Sequence, residues 1–268
     1  MKSLTKPSGP GWISSGLLLS GVAALLWLER KRPLRQAVEP GPRRLARNLA
    51  VGALTSAAVS AIERPIVTRV SRETAQRSWG LVPKLRLSES MQTIVALALM
   101  DYTLYWWHVL LHRAPLLWRL HAPHHLDRDL DVSTGVRFHL LEFIASIPWR
   151  CAQIALIGIP PRTLALWQRI TLAEVLFHHS NLRLPRPLES MLARFVVTPR
   201  MHGIHHSIVR DELDSNFSSV LTAWDRLHGT ARIDMTRDAV TIGLSGHQQT
   251  HDVALLKTLT APFAKGIT

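Results

Sequence analysis

The stretch DYTLYWWHVLLHRAPLLWRLHAPHH, residues 101–125, most constrains what this chain can fold into. It places five histidines directly behind an apolar run. On a helix, His108 and His112 are spaced i,i+4 and share one face, so both imidazoles can reach a single ion. His121, His124 and His125 repeat this arrangement with i,i+3,i+4 spacing. The pattern predicts a metal site at the end of a membrane-spanning helix.

Two more histidine groups follow later in the chain. The pattern HxxHH returns as His202, His205 and His206 in TPRMHGIHHS, and the pair His178 and His179 stands in LFHHSN. At this histidine content one HxxHH is expected by chance roughly 0.03 times, so two of them beside an HxxxH indicate metal binding. Eight or more convergent histidines favour two ions, which can share an oxygen-derived ligand.

Composition and charge narrow the class of protein and the kind of site. The hydrophobic residues, 47% of the chain, come in blocks, which is typical of an integral membrane protein. The net charge of +13 comes from basic residues that flank apolar segments, which predicts contact with anionic lipid headgroups and no nucleic acid. The single cysteine, Cys151, excludes cysteine-rich metal sites. Imidazole and carboxylate remain as ligands, and they suit iron, zinc, copper or nickel.

Apolar runs and basic loops predict how the first part of the chain meets the membrane. Residues 11–28 are uncharged and about 27 Å long as a helix, which predicts an uncleaved membrane anchor. Residues 29–47 carry seven basic and two acidic side chains, so this loop is expected in the cytoplasm and the N-terminus outside. Residues 48–62 are a shorter run that spans only a thinned bilayer, and residues 63–89 are a basic linker.

The next segments are expected to bring the histidines to the cytoplasmic face. Residues 91–111 form a span that ends on Trp106 and Trp107 at the interface. Residues 140–160 and 162–177 form a membrane hairpin, because Pro160 and Pro161 stop the first of its two helices. No apolar run of span length follows residue 182, so a cytoplasmic cap is expected there. The fold class is therefore an all-α integral membrane protein with about four transmembrane helices and a cytoplasmic, histidine-lined helical cap.

Five motifs resemble the fatty acid hydroxylase and sterol desaturase superfamily of membrane di-iron enzymes. They are DYTLYWWHVLLHRAPLLWRLHAPHH, TGVRFHLLE, LFHHSN, TPRMHGIHHS and DSNFSSVLTAWDRLHGT, in the family's order over about half the chain. The resemblance implies two iron ions and O2-dependent hydroxylation or desaturation of a C–H bond in a fatty acyl or sterol-like lipid. It divides the chain into anchor helices with basic loops (1–90), a hydroxylase-like catalytic domain (91–230) and a cytoplasmic tail (231–268).

The resemblance also implies the ligand set. Some hydroxylases of this family have a histidine four residues before the histidine pair, where this chain has Glu174 in EVLFH. Glu174 is then either a carboxylate ligand or no ligand, which leaves nine histidines. One or both of His178 and His179 complete the set. The other implied ligands are His108, His112, His121, His124, His125, His202, His205 and His206.

Four further residues are candidates to support the ligands. Asp101 interrupts an apolar run, so it is expected either to accept a hydrogen bond from a ligand imidazole or to pair with an arginine. Asp214 and Asn216 either hold a ligand imidazole or cap turns. His139 is expected at a helix end or beside a ligand rather than as a ligand itself. The histidines without paired spacing are expected at the surface: His228, His247 and His251.

The chain has no haem-binding module, no GxGxxG and no flavin motif. Electrons are therefore expected from a ferredoxin or a cytochrome that docks on the basic cytoplasmic face. Two other classes of function fit the sequence less well. A membrane metallohydrolase is disfavoured because no HExxH motif occurs, and a non-catalytic metal-binding or transport protein because transport sites lie near the bilayer midplane.

Overall fold

The computed structural model describes residues 11–235, 240–264 and 266–267. The described residues form helices and isolated bridges but no strands, so the predicted all-α class is confirmed. The predicted position of the N-terminus falls on residues that the structure does not describe. The helices are α1 (Gly11–Lys31), α2 (Gly41–Ala58), α3 (Arg64–Gln76), α4 (Glu89–Arg113), α5 (Pro115–His125), α6 (Leu140–Ile157), α7 (Pro161–His179), α8 (Arg186–Leu192), α9 (Pro199–His205), α10 (Arg210–Leu213), α11 (Ala223–Leu227) and α12 (Leu255–Thr260).

Three helical segments are long and apolar enough to cross a membrane: Gly41–Gln76, Glu89–Arg113 and Leu140–Ile157. Their most apolar windows have a mean hydropathy of 1.4, yet only 22–39% of each window is buried inside the protein. Apolar helix surface left uncovered to this extent is typical of contact with lipid. α1 and α7 coincide with the other two predicted membrane segments but are not among these three, so the number of spans stays a prediction.

The expectation that residues 63–89 form a linker is wrong for the first half of that segment. A π-helical turn, Val59–Glu63, joins α2 directly to α3, so one helical segment continues to Gln76. α3 continues because it is amphipathic: Val67, Ser71 and Thr74 lie on one face and are buried. The Ser71 hydroxyl donates to the carbonyl of Ile159 at 2.7 Å. The expected basic linker is therefore largely a packed helix.

The hairpin of α6 and α7 is present as predicted. α6 ends at Gly158, which adopts φ +91°, and α7 begins at the second of two prolines. Gly80, at φ +97°, crosses Gly158 so closely that a Cβ on Gly80 would lie 2.3 Å from the Gly158 nitrogen. The loop before α4 can therefore pack against the end of α6 only because both positions are glycine.

The main hydrophobic core lies between α3, α4, α6 and α7. It contains Val67 from α3, Met100 from α4, Ile154 from α6 and Trp167 from α7, all nearly inaccessible to solvent. From Ser180 on, the helices in the described part of the chain have seven residues or fewer. These short helices pack over the histidine end of the bundle.

Candidate metal centre

Four helix ends bring the histidines of distant motifs together. α4 ends just after His112, and Pro115 starts α5 at once, so α5 returns His121 to His125 toward the end of α4. α7 ends on His178 and His179. Thr198 caps α9, because its hydroxyl accepts from the Met201 backbone N–H, and the last histidine triplet lies on α9 and directly after it.

The histidines form two groups, and within each group one ring nitrogen from every histidine lies within 4.8 Å of the corresponding nitrogens of the others. All nine side chains are buried. Each group combines histidines from the first motif with histidines more than fifty residues away. The larger group contains His108, His112, His121, His125 and His205, and the smaller one His124, His179, His202 and His206.

Hydrogen bonds fix the tautomers in the four-histidine group. His124 Nδ1 lies 3.3 Å from the Arg137 carbonyl, and His179 Nδ1 lies 2.7 Å from the Val175 carbonyl. A carbonyl can only accept, so both Nδ1 atoms carry the proton and both Nε2 atoms carry a lone pair. These two Nε2 atoms are 3.0 Å apart, and His202 Nε2 is 3.0 Å from that of His179. Lone pairs directed at one another this closely fit a bound cation.

The five-histidine group follows the same rule. His108 Nδ1 donates to the Phe217 carbonyl at 2.8 Å, and His205 Nδ1 donates to the Ser215 carbonyl at 2.7 Å. His205 Nε2 is left buried with no hydrogen-bond partner, as are both ring nitrogens of His112. Buried nitrogens without a partner are costly in an apo protein and suit metal ligation. The residues of both groups therefore fit metal ions held by imidazole.

Burial keeps these imidazoles neutral. The pKa values of His124, His125, His205 and His206 lie well below the usual value, first because the rings are removed from water and then because they face other imidazoles. A neutral imidazole has the free lone pair that a metal needs. The site is thus prepared for ligation at neutral pH.

Glu142 is a functional residue that the sequence reasoning missed. Its Oε2 lies 3.0 Å from His121 Nδ1, where it fixes the tautomer of that ring and directs Nε2 into the five-histidine group. Glu142 is buried on the first turn of α6. The signal was a single carboxylate in the apolar run 140–160, which is costly unless it has a partner.

His178 and Glu174 lie outside both groups. The His178 ring centre is 4.0 Å from that of His202, and the side chain lines a cavity beside the four-histidine group. Glu174 lies one turn earlier on α7, and its Oε1 is buried without a hydrogen-bond partner. Neither histidine group includes Glu174, and its role as a carboxylate ligand stays a prediction.

Asp101 does neither of the things expected of it. Its Oδ2 accepts from the Trp224 indole N–H at 2.7 Å and from the Leu221 backbone N–H at 3.0 Å, rather than from an imidazole or an arginine. The reason is that the segment around α11 packs against the middle of α4, one to two turns before the histidines. Asp101 therefore attaches the segment around α11 to α4.

Of the other two carboxylate and amide candidates, Asp214 lies near a histidine of the metal centre and Asn216 does not. Asp214 Oδ1 lies 3.8 Å from His112 Nδ1, and Asp214 also pairs with Arg210 at 3.1 Å. Asn216 instead donates to the carbonyls of Met201 and Arg232, which joins α9 to the C-terminal segment.

His139 caps α6, because its Nδ1 accepts from the Leu141 backbone N–H. His228 is half-buried rather than fully exposed: its ring stacks on Tyr105 at 5.1 Å, and its Nε2 lies 3.2 Å from the Tyr102 hydroxyl. Its amphipathic ring completes an aromatic cluster, which a search for paired histidines could not detect.

A cavity of about 410 Å³ opens beside the histidines. Its walls come from α2, α4, α6 and α7 and are mainly apolar, with Leu104, Trp107 and Phe143 among them. His108, His121 and other metal-site histidines form part of its lining. An apolar chain that entered this cavity would reach the histidine groups directly.

The chain is similar to one protein-family model and to several lipid-oxidising enzymes. The family model for fatty acid hydroxylase matches residues 93–230, just over half of the chain. Ornithine lipid hydroxylase OlsE of Rhizobium tropici is 29% identical over 177 residues, 66% of this chain and 51% of that protein. Alkylglycerol monooxygenase of Homo sapiens is 30% identical over 146 residues, 54% of this chain and 31% of that protein.

Human lathosterol oxidase is 26% identical over 131 residues, which cover 48% of this chain and 41% of that enzyme. The chain thus spans about half or less of these relatives. No solved structure matches.

Proposed function

The chain belongs to the fatty acid hydroxylase family, and from this premise we propose that it is a membrane-bound di-iron oxidoreductase that hydroxylates or desaturates a lipid C–H bond. The observation that carries the proposal is the pair of histidine groups at the end of an apolar cavity. The nine histidines would hold two iron ions, which would activate O2 toward a C–H bond when bound.

The protein's own residues would bind and orient. Carbonyls and Glu142 direct the ligand nitrogens inward, so little reorganisation would accompany metal binding. The cavity would hold the lipid chain and exclude water from it. The proposed catalytic unit is residues 91–230, while α2 of the N-terminal region supplies one wall of the cavity.

We place the histidine centre on the cytoplasmic face. The basic segment before α2 packs at the same end of the bundle as the histidines: Arg35 donates to the Pro199 carbonyl that opens α9. Glu29, at the end of α1, accepts from the backbone N–H groups of Val132 and Asn181. Basic loops next to membrane spans favour the cytoplasm, which supports a multi-pass protein oriented this way.

The test of the function is a comparison of cellular lipids with and without the protein. Expression should produce a lipid that is heavier by one oxygen atom or lighter by two hydrogen atoms, and only when O2 is present. His205→Ala should abolish this mass shift while the protein stays in the membrane. Cleavage of a lipid into two products whose masses sum to that of the substrate plus water, with no need for O2, would instead favour the metallohydrolase. No change in any lipid with metal still bound would favour the binding or transport protein.

We further propose where the external electron donor docks. Arg113, Arg119 and Arg210 line a surface pocket together with His112 and Trp118. The Trp118 ring centre is 5.1 Å from that of His112, so the pocket lies next to the five-histidine group. A ferredoxin or cytochrome with an acidic surface fits this position, because opposite charges steer association.

Arg119→Glu tests this docking surface. We expect the rate with reduced ferredoxin to fall roughly tenfold and to lose its salt dependence, because a charge on the docking surface acts mainly on the association rate. The rate with a small uncharged reductant should stay unchanged. Arg86→Glu, an exposed arginine just before α4 and so at the opposite end of that helix, is the matched control. Equal effects of the two variants would place the docking site elsewhere.

A further inference from the structure

The cavity beside the histidines has a second polar patch at its far end. Glu63 and Arg150 line it there, from the π-helical turn after α2 and from the middle of α6. On α6, Arg150 lies eight residues after Glu142, which contacts His121, and eight helical residues span about 12 Å. The second patch is thus about 12 Å from the histidine end of the cavity, a distance that an extended lipid chain can span.

The first helical segment gives the same spacing independently. The Thr55 hydroxyl bonds to the Phe138 carbonyl, and the Phe138 ring stacks on His124 at 4.2 Å. Glu63 lies eight residues after Thr55, again about 12 Å along the helix. Glu63 on one wall of the cavity and Arg150 on another therefore lie at about the same distance from the histidine groups.

This charged pair is incompletely satisfied. Arg150 Nε is 3.9 Å from Glu63 Oε1, which is too long for a hydrogen bond. Glu63 Oε2 and Arg150 Nε are both buried without a hydrogen-bond partner, and the side chains are only 7% and 11% exposed. The Arg150 guanidinium lies over the Trp167 ring at 4.7 Å. Open acceptor and donor sites at this depth in a bundle are costly, which points to a ligand that completes them.

The backbone supports the same reading. The π-helical turn Val59–Glu63 adds a residue to the helical turn and directs Glu63 toward the cavity. Such turns occur mostly as single interruptions of α-helices and frequently at functional sites. A glutamate that served only to keep the protein soluble would be expected at the exposed surface rather than facing an apolar cavity.

We propose that Glu63 and Arg150 bind a hydroxyl group of the lipid substrate, about 12 Å from the carbon that is oxidised. A hydroxyl donates to Glu63 Oε2 and accepts from the guanidinium, so it satisfies both open sites at once. Arg64 also lines the cavity but is exposed to solvent, so at the buried pair itself the opposite charges of Glu63 and Arg150 balance. A carboxylate on the lipid would be repelled by Glu63, and an ammonium group would be repelled by Arg150. The substrate class is a lipid alcohol or a ring system with one hydroxyl. This inference rests on the proposed lipid-oxidising function.

The experiment measures binding rather than turnover, so it can fail or succeed independently of the proposed function. Purified full-length protein is titrated with tritiated hexadecanol and with its methyl ether, which cannot donate a hydrogen bond. The wild type should bind the alcohol more tightly, and Glu63→Gln should weaken alcohol binding about tenfold or more, because a hydrogen bond to a charged group is lost. Binding of the ether should not change.

Glu73→Gln, on the exposed side of α3, is the matched control and should leave both affinities unchanged. Arg150→Gln is the second variant, and it should also reduce the preference for the alcohol. If Glu63→Gln or Arg150→Gln lowers the melting temperature while the ratio of alcohol to ether affinity stays at the wild-type value, the pair is structural and the proposal is overturned.

Discussion

Replacement of His206 by alanine is expected to remove one of two bound metal ions and to abolish lipid oxidation. His206 Nε2 lies 3.1 Å from His202 Nε2, so the residue belongs to the four-histidine group. Its neighbour His205 belongs to the five-histidine group, although the two side chains leave adjacent positions at the end of α9. The alanine variants of two consecutive residues should therefore empty different metal sites.

The measurement is the metal content of purified protein, counted per chain after loading with ferrous iron. Wild type should contain two ions, His205→Ala and His206→Ala one each, and the double variant none. His247→Ala, outside both groups, should retain two. Two ions in either single variant would contradict the two-group assignment, and loss of both ions from one single variant would mean that the groups form one coupled site.

The sequence was sufficient to predict which histidines come together, but not how they divide into two groups. Spacing within HxxxH and HxxHH places imidazoles on one helix face, so local geometry was enough to identify the candidate ligands. Spacing cannot say that His205 faces His108 while His206 faces His124, because that depends on how α9 packs across the ends of α4 and α5. Long-range packing also decided that His179 joins a group and His178 lines the cavity.

The errors of the sequence reasoning have similar physical causes. Asp101 was expected to find an imidazole or an arginine, but the cap supplies the Trp224 indole first. α3 was read as a linker because its arginines conceal an amphipathic face on which Val67 is buried. The partner of Asp101 lies more than one hundred residues away in the sequence, and the packing of α3 depends on helices that follow later in the chain, so local spacing shows neither.

A buried ionic network joins α2 to the loop that follows the histidines of α5. Asp127, two residues after His125, is fully buried and receives a bidentate interaction from Arg44 at 2.9 and 2.8 Å. Asn48 donates to the same carboxylate at 2.9 Å, as does the Thr134 hydroxyl. Burial by itself would raise the pKa of Asp127, but the charge of Arg44 and its hydrogen bonds hold it well below the usual range. The carboxylate is therefore charged at neutral pH.

Asp127→Ala should destabilise the protein by about 3–5 kcal/mol, because it leaves the Arg44 guanidinium buried without its main counter-charge. For a chain of this size the loss corresponds to a fall of roughly 6–20 °C in Tm, measured by thermal unfolding of the detergent-purified protein. Arg44→Met combined with Asp127→Leu should be less destabilised than Asp127→Ala, since both charges of the buried pair are removed and Asp131, the other partner of Arg44, is 31% exposed to solvent.

Glu73→Ala is the control for this experiment, because the Arg77–Glu73 pair is exposed at 3.2 Å and should change Tm little. The loop that Arg44 holds is the same loop that supplies the Arg137 carbonyl to His124. Asp127→Ala should therefore also lower the metal content of the four-histidine group, even though Asp127 touches no imidazole. An unchanged Tm together with two bound ions would mean that α5 and the loop after it hold the ligands without help from α2.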